Sequence, residues 1–162
     1  MANTLSVTGS SRLSWSLTDA QAVGSVVRTV DERSSRTITH GTGPNQATVA
    51  YTNTHTVAAS STLSLSFGSI STSSFGSTGT LAVTTVKEVL VSPTGVTGAF
   101  VYVGGGSGVT GVKVNTGGEY HLCDYAVGLS PSEWVGSTLR VQNTTTGSIN
   151  VDVSIVGIGS YS

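Results

Sequence analysis

His121 and Cys123 alternate within the run His121-Leu-Cys-Asp124, so a strand there puts both on one face and Asp124 on the other. Imidazole nitrogen and thiolate sulfur are zinc ligands, but a zinc site takes four ligands, or three and a water. His40 or His55 could complete the set only by tertiary approach. The expectation is therefore no metal, no cofactor, and Cys123 acting as a small buried apolar residue.

Catalysis by a nucleophile finds no better footing. Ser, His and Asp are all present, but no G-x-S-x-G elbow presents a serine. Asp31 and Glu32 are adjacent, so in a strand they fall on opposite faces; a solvated turn through Asp31-Glu-Arg-Ser-Ser-Arg36 is expected. Gly104-Gly-Gly-Ser-Gly108 lacks the Gly-Lys-Ser/Thr ending of a phosphate loop and leads into Val-Thr-Gly-Val-Lys-Val, a strand pattern. It reads as a hairpin loop. Asn143-Thr-Thr fits a glycosylation acceptor but sits in a Thr-rich turn. No residue is assigned a catalytic, cofactor-binding or metal-binding role, and the chain is read as not an enzyme.

Sugar binding is the more serious chemistry. Trp15, Trp134, Tyr102, Tyr120 and Tyr125 could stack on sugar rings. Trp15 alternates with Leu13 and Leu17, the pattern of a core face, whereas Trp134 follows the turn Ser130-Pro-Ser-Glu133 and is the better candidate.

These residues must be held by strands. Apolar and hydroxyl residues alternate at Leu13–Leu17, at Val49 and Tyr51, at Leu63–Phe67, at Val101 and Val103, at Val112 and Val114, at Leu139 and Val141, and at Ile149–Ile155. Val83 to Val91 is apolar on both faces, as in a central strand. Turn residues punctuate the runs at 40–45, 92–95, 104–108, 115–118 and 143–147. The last of these makes 138–158 read as a hairpin. Residues 68–80 read as a surface excursion pinned by Ile70 and Phe75, and Thr18 to Val27 is the only helix candidate, its valines and Gly24 suiting a strand or loop equally. The fold expected is all-β, an antiparallel sandwich or jelly-roll-like barrel with an irregular N-terminal segment. Residues 1–45 form an N-terminal arm or additional strands, and 46–162 the sandwich domain.

Composition narrows the partners. Ser, Thr and Gly exceed two residues in five, charged residues are only 9%, and the net charge is -1. Scattered basic residues make no phosphate-neutralising stripe, so nucleic acid is not expected. No apolar run approaches the ~20 residues of a membrane span. One cysteine allows no intrachain disulfide, and the first residues carry no basic and apolar leader. Synthesis and assembly in a cytoplasm are expected. Arg12, Arg28, Arg33 and Arg36 lie in the N-terminal part, which suits a docking arm.

From Gly41 onward the chain resembles a family of small tailed-phage and prophage proteins of unassigned or virion-structural role. The stretches that carry the likeness are GTGPNQATVAYTNTHTVAASSTLSLSF (Gly41 to Phe67), VKEVLVSPTG (Val86 to Gly95), VNTGGEYHL (Val114 to Leu122) and STLRVQNTTTGSINVDVSIVGIG (Ser137 to Gly159). The family carries an acidic residue in its Leu-rich strand, where this chain has Ser64 and Ser66. The resemblance implies a bacteriophage virion component, a capsid decoration, cement or head-fibre-like protein that contacts the major capsid protein or other virion proteins, as a homo-oligomer. The alternative is a carbohydrate-binding or adhesin-like module on a tail or fibre.

Overall fold

The computed structural model describes residues 5–21, 24–74, 77–104, 111–124, 127–131 and 137–162, with backbone alone within 9–34 and 73–77. Alternating apolar and hydroxyl residues bury one face of a strand and leave the other wet. Among the described residues twelve strands follow: β1 Ser6–Gln21, β2 Gly24–His40, β3 Gln46–Ala47, β4 Val49–Val57, β5 Thr62–Ser66, β6 Ile70–Ser74, β7 Ser77–Thr94, β8 Phe100–Gly104, β9 Val112–Asn115, β10 Tyr120–Cys123, β11 Thr138–Asn143 and β12 Ile149–Tyr161. The chain is all-β, as its alternation predicts.

Two antiparallel sheets form the sandwich. One runs β10-β7-β12-β4, with β6 added to β7; the other runs β5-β11-β8-β9. Central β7 is the strand that reads as apolar on both faces. The links β4–β5, β7–β8, β9–β10 and β11–β12 each cross from one sheet to the other. Between the sheets lie Ile149, Val151, Val153 and Ile155 from β12, Val89 and Val91 from β7, and Leu139, Val141, Val101 and Val103 from the facing sheet. Phe67, fully buried, closes one end: its amide donates to the Ser137 carbonyl and its carbonyl accepts from Val83.

β7 and β12 are longer than the sandwich is wide, and they stay paired by slipping register twice, at Val156/Gly157 and at Ile158/Gly159. Each slip leaves one residue of β7 without an opposite number, Lys87 and Thr84, as a β-bulge does. The glycines permit it. A Cβ on Gly157 would collide with the Thr85 carbonyl oxygen, and one on Gly159 with that of Ala82.

The N-terminal part is not irregular. β1 and β2 form an antiparallel ribbon paired from Ser6↔Thr39 to Gln21↔Gly24. At ~3.3 Å per residue it is roughly 50 Å long. Its base pairs with β3, and Ile38, Ala47 and Val156 form a second small core there, with Leu5, Val7 and Ala50 packed against it.

One open reading is decided, and three local expectations are corrected. Thr18 and Val27 stand opposite each other in the ribbon rather than in one helix; Val26 and Val27 are β-branched, and a ladder partner suits them better than a helix interior. Asp31 and Glu32 lie mid-strand, opposite Ser14 and Leu13, not in a turn. The segment after Gly68 is a hairpin of β6 on the start of β7, with Ile70 buried; Phe75 lies outside the described residues. Finally, β11 and β12 do not pair as a hairpin. They belong to opposite sheets and face each other across the core.

Candidate functional site

His121 and Cys123 share the outward side of β10, opposite Leu90 and Glu88 of β7. His121 Nε2 lies 2.9 Å from Glu88 Oε1, the two side chains 35% and 13% exposed. Cys123 is exposed, which corrects its reading as a buried apolar residue. The reason is parity: half-buried Tyr120 and Leu122 pack against the core, so their neighbours must face out from the edge strand. His40 is exposed at the end of β2, and His55 sits on β4 with its Nε2 2.8 Å from the Tyr51 hydroxyl. Burial lowers the His55 pKa below the usual imidazole value and raises that of Tyr51. The histidines are not brought together, and no three His, Cys, Asp or Glu residues among those described are placed to share a metal ion.

The remaining sequence candidates scatter. Trp15 stands opposite Val30 in the ribbon; its side chain, like Trp134 and Tyr125, lies outside what is described. Residues 105–108 of the glycine run also lie outside, between β8 and β9, which pair antiparallel. Asn143, the glycosylation candidate, is fully buried with its amide engaged. An open groove of about 500 Å³ is lined by Asn53, Ser71, Thr72, Thr78, Gly79 and Thr80, a neutral set that can only hydrogen-bond.

The outer faces of the two sheets differ in kind. On the five-stranded sheet the polar groups satisfy one another across the ladder: Thr52 with Ser154 at 3.0 Å, Thr54 donating to Asp152 at 2.5 Å, and Thr56 donating to Asn150 at 2.8 Å. A surface paired in this way has little left for a ligand.

The four-stranded sheet presents aromatic rings and cations. Phe100 and Tyr102 stand two apart on β8, so both face outward while Val101 and Val103 face the core. Their rings meet edge to face, centroids 5.6 Å apart at 89°. Lys113, opposite Tyr102 on β9, places Nζ 3.9 Å from the Phe100 ring centroid. Gln142 stands opposite Tyr102 on the other side, and Arg140 stands opposite Gly104 and Ser64. Arg140 Nε is buried without a hydrogen-bond partner among the described residues. Of these residues the sequence pointed to Tyr102 alone. Phe100 was hidden in the apolar run Ala99 to Val103, where strict alternation was the only signal.

No protein-family model matches this chain, and no curated protein matches it.

Proposed function

We propose that this chain is a non-enzymatic structural subunit of a phage virion, decorating or stabilising a capsid through contacts with the major capsid protein and with copies of itself. The observation that carries this reading is the β1–β2 ribbon. A two-stranded hairpin is marginal in water without a third strand or a packed face. Here, among the described residues, only two-residue β3 pairs with the ribbon, at its base. A ribbon roughly 50 Å long, by the rise per residue of a strand, is a docking element: it can lie along a neighbouring subunit or lend an edge to another sheet.

The rest of the molecule suits that task. Its charged residues are few, as interface cores require. Its resemblance to virion proteins runs through the sandwich strands, from Gly41 to Gly159. The test is an internal deletion of Ser10–Ser35 closed by an Asn-Gly turn, which keeps the Ile38 core at the ribbon base. The shortened protein should fold, with a far-ultraviolet spectrum still dominated by β-strand and a cooperative melt, yet fail to cosediment with capsids stripped of the protein. Cosedimentation equal to that of the full chain would refute the docking role.

A further inference from the structure

The outer face of the four-stranded sheet carries rings and cations outside the ribbon to which docking is assigned. Phe100 and Tyr102 are half-exposed rings held edge to face on a rigid strand. Beside them stand Lys113, whose ammonium rests on the Phe100 ring, and Arg140 in the central strand β11. Neither cation has a carboxylate partner among the described residues, and no Asp or Glu stands on this face of the four strands. The chain has only 7 basic residues against 8 acidic ones, so two uncompensated cations beside two rings are a local concentration of positive charge.

We propose that this face binds an acidic glycan, a polysaccharide bearing carboxylate groups on its sugar rings. Each part of the surface meets one part of that ligand. The ring of Tyr102 offers an apolar flat to the C–H face of a sugar, and its hydroxyl a polar edge. Gln142, opposite Tyr102 in the ladder, supplies amide donors and an acceptor for ring hydroxyls. Lys113 and Arg140 meet the carboxylates, as a point charge and as a planar fork respectively. The strands are ~4.8 Å apart and the two residues are offset by two positions in register, so Lys113 on β9 and Arg140 on β11 straddle β8 at roughly 12 Å. That spacing fits charges repeated along a sugar chain better than a single small anion. The proposal is independent of virion assembly: it concerns a sheet that neither the ribbon nor β3 joins.

The experiment is affinity electrophoresis of the full chain through native gels cast with polygalacturonate, with hyaluronate, with neutral dextran, or with polyglutamate. Retardation is expected in both acidic glycans and not in dextran. Tyr102→Ala and Lys113→Gln should each weaken binding at least tenfold, with far-ultraviolet circular dichroism showing that the variants remain folded. Gln142→Ala, a smaller change on the same face, should weaken it several-fold and serves if Tyr102→Ala does not fold. Absence of retardation in either acidic glycan overturns the proposal. So does retardation that survives both Lys113→Gln and Gln142→Ala. Equal retardation by polyglutamate also overturns it and reassigns the face to an acidic protein segment.

Discussion

The side-chain amide of Asn143 donates to the carbonyl of Val57, 3.0 Å away and 86 residues earlier in the chain. The same nitrogen reaches the carbonyls of Ala58 at 3.0 Å and Gly147 at 2.7 Å. Its oxygen accepts from the Thr145 amide at 2.9 Å and the Thr145 hydroxyl at 2.7 Å. One buried side chain thus ties the β4–β5 crossing to the β11–β12 crossing, and two loops at the same end of the sandwich hold each other in place.

Removing that tie should be costly. Asn143→Ala leaves the buried Val57 carbonyl and several part-buried groups without partners, a loss of about 2–3 kcal/mol. Urea denaturation should show the midpoint falling while the slope holds. Asn143→Asp should be worse, because it puts a carboxylate where the amide faces carbonyls. Folded protein exposed to a glycosylation machinery should carry no glycan at Asn143, which mass spectrometry checks.

The two register slips give a second prediction. Gly157→Ala and Gly159→Ala each drive a methyl into a backbone carbonyl of β7 and should destabilise by about 1–3 kcal/mol. A methyl group on Gly147 would meet nothing within 4 Å, so Gly147→Ala should change stability by less than about 0.5 kcal/mol. Thermal melts of the three variants side by side decide it.

A third concerns the interior face of β12. Val153 is fully buried, opposite Val91 and Asn53. Val153→Ala should cost about 1–3 kcal/mol, and Val153→Asp should prevent folding. A Val153→Asp protein with a native near-ultraviolet spectrum would contradict the placement.

His55 sets a pH dependence. Desolvation lowers its pKa below the usual 6.5, so the unfolded chain binds the proton more readily than the folded one. Stability from this group is complete above pH 6.5 and is lost as pH falls through the lower folded value. Protonation also leaves His55 Nε2 able only to donate to the Tyr51 hydroxyl, whichever role it plays in the neutral ring. The melting temperature should therefore decline on acidification below that point, and the decline should be smaller in His55→Gln. An identical profile in the two proteins would exclude His55 as the cause.

Strands were legible in the sequence because burial on one face writes itself as alternation, clearest from Ile149 to Ile155. Pairing was not. A Gly- and Asn-rich turn between two alternating runs is equally at home in a hairpin and in a crossing between sheets. What decides for the crossing at 143–147 is Asn143 and its bonds to Val57 and Ala58, a contact no local pattern announces. The ribbon was hidden for a related reason. The polar stretch Asp31 to Arg36 looks like a turn until its partners in Gly9–Ser14 are known. As for the candidate face, Tyr102 was visible as an aromatic, whereas Phe100 was lost in the apolar run Ala99 to Val103. The exposure of both depends on tertiary packing, since alternation alone does not say which face of a strand is covered.

β12 lies between β7 and β4, yet it is synthesised after every strand it joins. On the ribosome, β4 and β7 therefore emerge with facing edges bare and must wait for their central partner. At ~5–20 residues per second the wait from Thr94 to Ile149 lasts several seconds. Bare edges of Val-rich strands recruit other chains during such a wait. Nascent chains crowded on one message are then at risk of pairing with each other, and the yield of native protein becomes a question of translation rate and chaperone supply.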